Sequence, residues 1–265
     1  MFVEDILYEK KDGIAVITLN RPHRMNALPL HYWSDVLPQY WADFEKDKSV
    51  RVGIVTAAGD RAFCTGVDVK DTAERNQKSG GAPQASKPIL ATPWQNKVSK
   101  PVICAVNGLV GGGGLMFVSD CDISIAASTA QFFNPGVAVG IVALVGQAAW
   151  TKWVPFHSVM RMALMGPGER LSAQRAYELG IVTEVVSDKP LVDRAKEIAT
   201  IMSNNSPAAL RVAKKALWAA LEEGSLRGAH DAVMRVTREL SGHPDQIEGP
   251  RAFAEKRKPK WKEPE

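Results

Sequence analysis

Two short stretches carry residue types from which a polar site could be built, and neither depends on a side-chain nucleophile. In AVNGLVGGGGLMFVSD an apolar run reaches Asn107 and Gly108, four consecutive glycines from Gly111 to Gly114 follow, and an apolar helical pattern begins. A chain without Cβ atoms lets a ligand oxygen come close to backbone amides, and the first N–H groups of a helix have no intrahelical acceptor. The turn is therefore a candidate anion hole, with the helix dipole behind it. It lacks the Gly-Lys-Ser/Thr ending of a phosphate loop and the G-x-G-x-x-G dinucleotide spacing, so taken alone it could equally be a turn that binds nothing. A second stretch, GDRAFCTGVDVKD, follows another buried run and again sets a small-residue turn, Cys64 to Gly66, before a helical pattern. Two such turns after neighbouring strands can aim two amides at one oxygen, as in an oxyanion hole.

Those turns need strands to hold them. RVGIVTAA, PVICAVNG and CDISIAAS are short, nearly continuous apolar runs, the pattern of strands buried on both faces and linked by crossover helices. Upstream, ILYEKKDG and IAVITLN are β-rich runs separated by Lys11, Asp12 and Gly13, a hairpin signal. From about Leu30 to Asp47 the positions Trp33, Val36, Leu37, Tyr40, Trp41 and Phe44 share a helical face, which Pro38 should kink or break. The polar, Gly/Pro-rich stretch ERNQKSGGAPQASKP predicts a mobile surface loop. From about Leu191 the character changes to successive amphipathic helices, started by Pro or Ser and stopped near Gly. A mixed α/β core followed by a helical region accounts for the order.

Composition narrows the class. The chain has 265 residues, 45% hydrophobic and 23% charged, as expected for a soluble enzyme with a full core and not for a disordered or coiled-coil chain. No apolar run approaches the roughly 20 residues that span a bilayer, and the acids in MFVEDILYEKKDG oppose a signal peptide, so a cytoplasmic protein is expected. Three cysteines without CxxC or metal spacing predict reduced, buried thiols and no metal site. The net charge of +4 owes much to the last ten residues, KRKPKWKEPE, which argues against a nucleic-acid face.

Taken together in order, LNRPHRMNAL, AFCTGVDVK, AVNGLVGGGG with CDI, LSAQRAYELGIVTEVV and FAEKRKPKW make the chain similar to the crotonase superfamily of enoyl-CoA hydratases and isomerases over nearly its full length. The resemblance implies an α/β, crotonase-like ββα superhelix with a C-terminal helical trimerisation region, assembled as a homotrimer or dimer of trimers. It divides the chain into a core with the CoA-thioester site, 1–190, and a helical region for oligomerisation and CoA capping, 191–265. It places the oxyanion hole on the backbone N–H groups of Val67 and Gly113, within the turns of Gly66 and Gly112, where they would hold the thioester oxygen of an acyl-CoA. Arg24 and the backbone near Ala27 would meet the CoA phosphates and adenine, with Ala62 and Asp68 nearby, while Phe253 and Lys256 close over the nucleotide. Val67, Leu109, Met116 and Val137, with Pro135 and Gly136 beside them, would line an apolar acyl pocket. Coenzyme A enters only as part of the substrate, and no separate cofactor is implied.

The chain departs from that family where protons move. The two glutamates of the hydratases fall on Met116 and Gly136, neither of which can transfer a proton. Some naphthoate-synthase relatives also carry a glycine at the second position and recruit bicarbonate, but their partner aspartate corresponds to about Ala143. Asp68, Asp71 and Glu74 follow the first turn, with helix capping the simpler role for Asp68; Asp120 and Asp122 read as structural. The expectation is an enoyl-CoA hydratase/isomerase-type enzyme that works through a stabilised enolate, with weak simple hydration. A decarboxylase or retro-aldol lyase of the same fold, in which departure of the leaving group creates the enolate, is the alternative enzyme. A protein that binds CoA thioesters without turnover is the non-enzymatic one, and glutamates substituted for Met116 and Gly136 would then create hydration.

Overall fold

The computed structural model describes residues 3–71, 73, 74 and 88–263. Strands β1 (Ile6–Lys11) and β2 (Ile14–Leu19) form the expected antiparallel hairpin, Ile6 opposite Leu19, around Asp12 and Gly13, both with positive φ. That left-handed pair gives the turn a twist matching the strands. Next come α1 (Leu37–Lys46), β3 (Val52–Ala57), β4 (Ala62–Cys64), β5 (Val102–Val106), β6 (Leu109–Gly111) and α2 (Gly114–Asp120). They lead into β7 (Ile123–Ala127), β8 (Gln131–Phe133), α3 (Val145–Trp150), α4 (Phe156–Met165), β9 (Leu171–Ser172), α5 (Ala173–Glu178) and β10 (Glu184–Val186).

Among the described residues these strands form two sheets, in the orders β1-β2-β3-β5-β7-β10 and β4-β6-β8-β9. The main sheet is parallel from β2 onward. The small sheet repeats its order, β4 beside β6 beside β8, so each long strand is followed by a short one in the second layer. This is the ββα superhelix that the motifs implied.

Both faces of the main sheet are covered, which is why its strands read as unbroken apolar runs. On one side Ile17, Leu19, Val55, Cys104 and Val106 meet Trp33, Trp41 and Phe44. On the other, Val16, Ile54, Ile103 and Ile125 meet Ala195 and Ala199 of α6 (Leu191–Ser203). The expected disturbance near Pro38 is present: the helix carries a π-helical turn at Tyr32–Val36 that passes directly into α1 at Leu37, and Pro38, which has no N–H to offer the preceding turn, sits at the junction. The polar stretch from Arg75 to Lys87 lies outside the described residues.

Three further helices follow, α7 (Pro207–Glu222), α8 (Leu226–Thr237) and α9 (Asp245–Ala254). Ser206 and Ser225 cap α7 and α8 by accepting from Ala209 N and Gly228 N, at 3.1 and 3.0 Å. One aspartate ties this region to the sheet: Asp122 accepts from Val102 N at 2.8 Å, from Trp218 Nε1 at 2.9 Å, and pairs with Lys214 at 2.9 Å. All three cysteines are free and buried, and burial pushes the Cys64 thiol up to about 12. No described helix is long and apolar enough to cross a membrane.

Candidate active site

The two small-residue turns do converge. The turn after β4 and the turn after β6 lie side by side because Ala62 is in register with Leu109 in the small sheet. Gly66 has φ +98°, a backbone that L side chains rarely adopt, and a Cβ built on it would stand 2.8 Å from Gly113 N. Contact is as close one residue further on, where a Cβ on Gly114 would overlap the Cys64 carbonyl oxygen.

The direction of Val67 N–H follows from its neighbours. Val67 forms an isolated parallel bridge with Leu28, in which Leu28 N donates to Gly66 O at 3.0 Å and Asp68 N donates to Leu28 O at 2.8 Å. The amide of Val67 therefore points to the side of that strand away from Leu28. Gly113 is the N-cap of α2 and accepts from Met116 N at 3.1 Å, which leaves its own N–H among the helix's unsatisfied first donors.

Two residues that sequence reasoning passed over fix this arrangement. Arg21, with its side chain 13% exposed, pairs with Asp5 at 3.1 Å and with Asp68 at 3.3 Å, and also donates to the Ala27 carbonyl. It clamps the two chains that flank the Leu28–Val67 bridge. Asn26 is fully buried with φ 54°, accepts from Arg21 N at 2.8 Å, and donates to Ala58 O at 3.0 Å and Ala62 O at 2.7 Å. The available signal was an asparagine between apolar residues in a turn, since asparagine tolerates the left-handed region better than most residues.

The remaining expected residues divide into two groups. Ala27, Ala62 and Asp68 lie together around Asn26 and Arg21, and Arg24 stands exposed one turn away, with Ala27 N donating to Arg24 O at 3.0 Å. Asp68 fills the structural role as well, accepting from Lys70 N at 3.2 Å and Asp71 N at 3.4 Å. Phe253, 88% exposed on α9, and Lys256 have no hydrogen bond, ion pair or ring contact with Arg24, Ala27 or Ala62 within this chain. Val137, expected inside the acyl pocket, is 47% exposed on the 3-10 turn Gly136–Val139, whose chain path carries it outward.

Met116 is buried one turn into α2, covered by α3: a Cβ on Gly146 would lie 2.9 Å from Met116 Cα. Gly136 is buried beside Pro135; its N–H donates to Asn134 Oδ1 at 2.9 Å and its carbonyl accepts from Ile141 N at 2.9 Å. A Cβ there would stand 2.6 Å from Ile141 O. Grafting a glutamate onto Gly136 therefore requires the 136–141 turn to open, which spoils the glutamate substitutions as a simple restoration of hydration. Among the described residues, Asp71, four positions beyond Val67, has a buried Oδ2 without a hydrogen-bond partner.

The fold is a superhelix of strand–turn–helix units in which the turn after β4 and the turn after β6 lie side by side, with Met116 buried at the start of α2. The chain belongs to the enoyl-CoA hydratase/isomerase family, whose model matches residues 9–264. It is 35% identical over 94% of its length to a mevalonyl-coenzyme A hydratase of Aspergillus fumigatus, covering 91% of that protein. It is 33% identical over 97% of its length to (E)-benzylidenesuccinyl-CoA hydratase of Thauera aromatica, covering 98% of it. Among solved structures, an enoyl-CoA hydratase/isomerase from Mycobacterium paratuberculosis aligns with a TM-score of 0.85 at 40% identity, covering 99% of both chains.

Proposed function

We propose that the protein acts on an acyl-CoA thioester whose carbonyl oxygen accepts hydrogen bonds from Val67 N–H and Gly113 N–H, so that negative charge can build up on it as an enolate. One observation carries this reading: the Gly66 turn and the start of α2 approach until a single Cβ would collide with Gly113 N. Each preorganised donor of this kind is worth about 3 kcal/mol of transition-state stabilisation. Hydratases of CoA thioesters among the relatives support the substrate class.

Acid/base chemistry is the second part of the reading. With methionine and a sterically locked glycine at the two glutamate positions, Asp71 is the carboxylate assigned to exchange a proton with the substrate, and hydration of crotonyl-CoA is expected to be slow. Decarboxylation or retro-aldol cleavage is the second reading, favoured by the closed packing at Gly136: loss of carbon dioxide leaves its bonding pair behind as the enolate with no proton to remove from Cα, whereas retro-aldol release of an aldehyde passes the β-hydroxyl proton to a base, here Asp71.

CoA binding is assigned to Arg24, Ala27, Ala62 and Asp68, with Phe253 and Lys256 covering the nucleotide. Exposed Leu217, Leu226, Met234 and Ile247 on α7 to α9 support assembly as a homotrimer or dimer of trimers that covers them. Sedimentation velocity checks the assembly: a monomer at micromolar concentration refutes it.

The chemistry is tested by incubating the protein in heavy water with enoyl-, β-keto- and malonyl-type CoA thioesters and weighing the products. Deuterium at Cα, added water, lost carbon dioxide or released CoA each names a reaction class. Binding with every mass unchanged points to a non-catalytic CoA-thioester binder, and no binding refutes the reading.

A further inference from the structure

Among the described residues, two buried side-chain nitrogens lack any hydrogen-bond partner, Gln147 Nε2 and Trp150 Nε1, and both belong to α3. Three residues apart, they share one face of that helix. Gln147 is 2% exposed, and its other amide atom, Oε1, accepts from Asn134 Nδ2. Asn134, also 2% exposed, donates to Ala143 O at 2.9 Å and accepts from Gly136 N at 2.9 Å. The Gln147 amide is therefore one hydrogen bond from Asn134 and two from Gly136. The preceding residue, Gly146, lies against Met116. The orphan donor thus stands behind the two positions that lack carboxylates, beside the start of α2.

A buried donor without an acceptor is costly and rarely left so, and natural cores pair such groups with protein, water or ligand. Asn134 fixes the orientation, because its Nδ2 engages Oε1 and thereby leaves the nitrogen as the amide atom without a partner. A purely hydrocarbon acyl chain would leave Nε2 unsatisfied, whereas a chain carrying an oxygen would satisfy it in a dry environment. We infer that Gln147 is a specificity-determining residue whose Nε2 donates to a hydroxyl or carbonyl oxygen on the acyl chain beyond the thioester, so that the protein selects oxygenated acyl-CoA over its hydrocarbon counterpart. This inference rests on the acyl-CoA reading given above.

The test compares the affinities of 3-hydroxybutyryl-CoA and butyryl-CoA by calorimetry for the full chain and for two variants. Gln147→Glu keeps the acceptor for Asn134 and deletes the donor; Gln147→Leu deletes both. Wild type should bind the hydroxy compound at least tenfold more tightly. Both variants should lose that preference while binding butyryl-CoA within about twofold of wild type. If Gln147→Leu does not fold, Gln147→Glu decides the matter alone. Absence of a preference in wild type, or an equal loss for both ligands in Gln147→Glu, overturns the inference and leaves Gln147 a packing amide, with acyl-CoA binding intact. If wild type binds neither thioester, the acyl-CoA reading falls and takes the inference with it.

Discussion

A Cβ on Gly66 would stand 2.8 Å from the amide nitrogen of Gly113, so the turns that follow β4 and β6 press backbone against backbone. Any side chain at residue 66 must separate the two amides assigned to the thioester oxygen, and the φ of +98° adds strain. Gly66→Ala should lower kcat on the native thioester by about 100-fold or more, the effect of losing one oxyanion donor. Steady-state kinetics with parallel CoA-binding titrations check this, since CoA affinity should change little.

Arg21 and Asp68 form a pair held almost out of solvent, with side chains 13% and 8% exposed. Removing Arg21 takes the cation from two carboxylates, Asp5 and Asp68, and loss of one partner of such a pair typically costs about 3 to 5 kcal/mol when burial is complete and somewhat less at this exposure. Arg21→Leu should therefore destabilise the fold and loosen the Leu28–Val67 bridge, while Arg21→Leu combined with Asp68→Leu should recover part of the loss. Urea unfolding of the two single variants and the double variant measures the coupling. Additive losses would show that the pair does not act as a unit.

Asp71 predicts a separation of binding from turnover. Asp71→Asn removes a carboxylate whose Oδ2 has no partner to lose, so stability should be nearly unchanged. Turnover or solvent deuterium exchange at Cα should fall by at least about 100-fold, the usual range for a general acid/base group. Unchanged exchange in Asp71→Asn would remove this residue from the chemistry.

Asp120 gives a pH dependence with a defined sign. Burial raises its pKa above the ordinary 3.8, partly offset by hydrogen bonds from Ser119 and Thr92. In the window just above pH 3.8 the folded chain keeps a proton that the unfolded chain has released, so this group's contribution to stability falls as pH rises and then levels off. Asp120→Asn cannot titrate and can still bond both hydroxyls. The stability of Asp120→Asn minus that of wild type should grow as pH rises through that window and be constant above it. Denaturant titrations across the acid range read this difference directly, and a flat difference contradicts the assignment.

Much of the architecture was legible in the chain itself. Apolar runs such as PVICAVNG identify strands covered on both faces because burial removes the polar alternation. Asp12 and Gly13 mark the first hairpin, Pro38 marks the start of α1, and Ser206 and Ser225 mark later helix starts, because each meets a local backbone requirement. The glycine turns and the absence of glutamate at residues 116 and 136 were likewise visible, since they are statements about residue type.

The order of residues alone could not show which distant groups meet. Arg21 reaches Asp68 across 47 positions, and Asn26 reaches Ala62 across 36, only because β4 lies beside the segment that leads into α1. That Gly136 leaves no room for a side chain depends on the path of the chain back to Ile141. The unpaired Nε2 of Gln147 is a property of three-dimensional accounting, in which buried donors are matched against acceptors. Local backbone preference and burial pattern determine the elements one at a time, whereas hydrogen-bond pairing and steric exclusion between them exist only once the chain has folded.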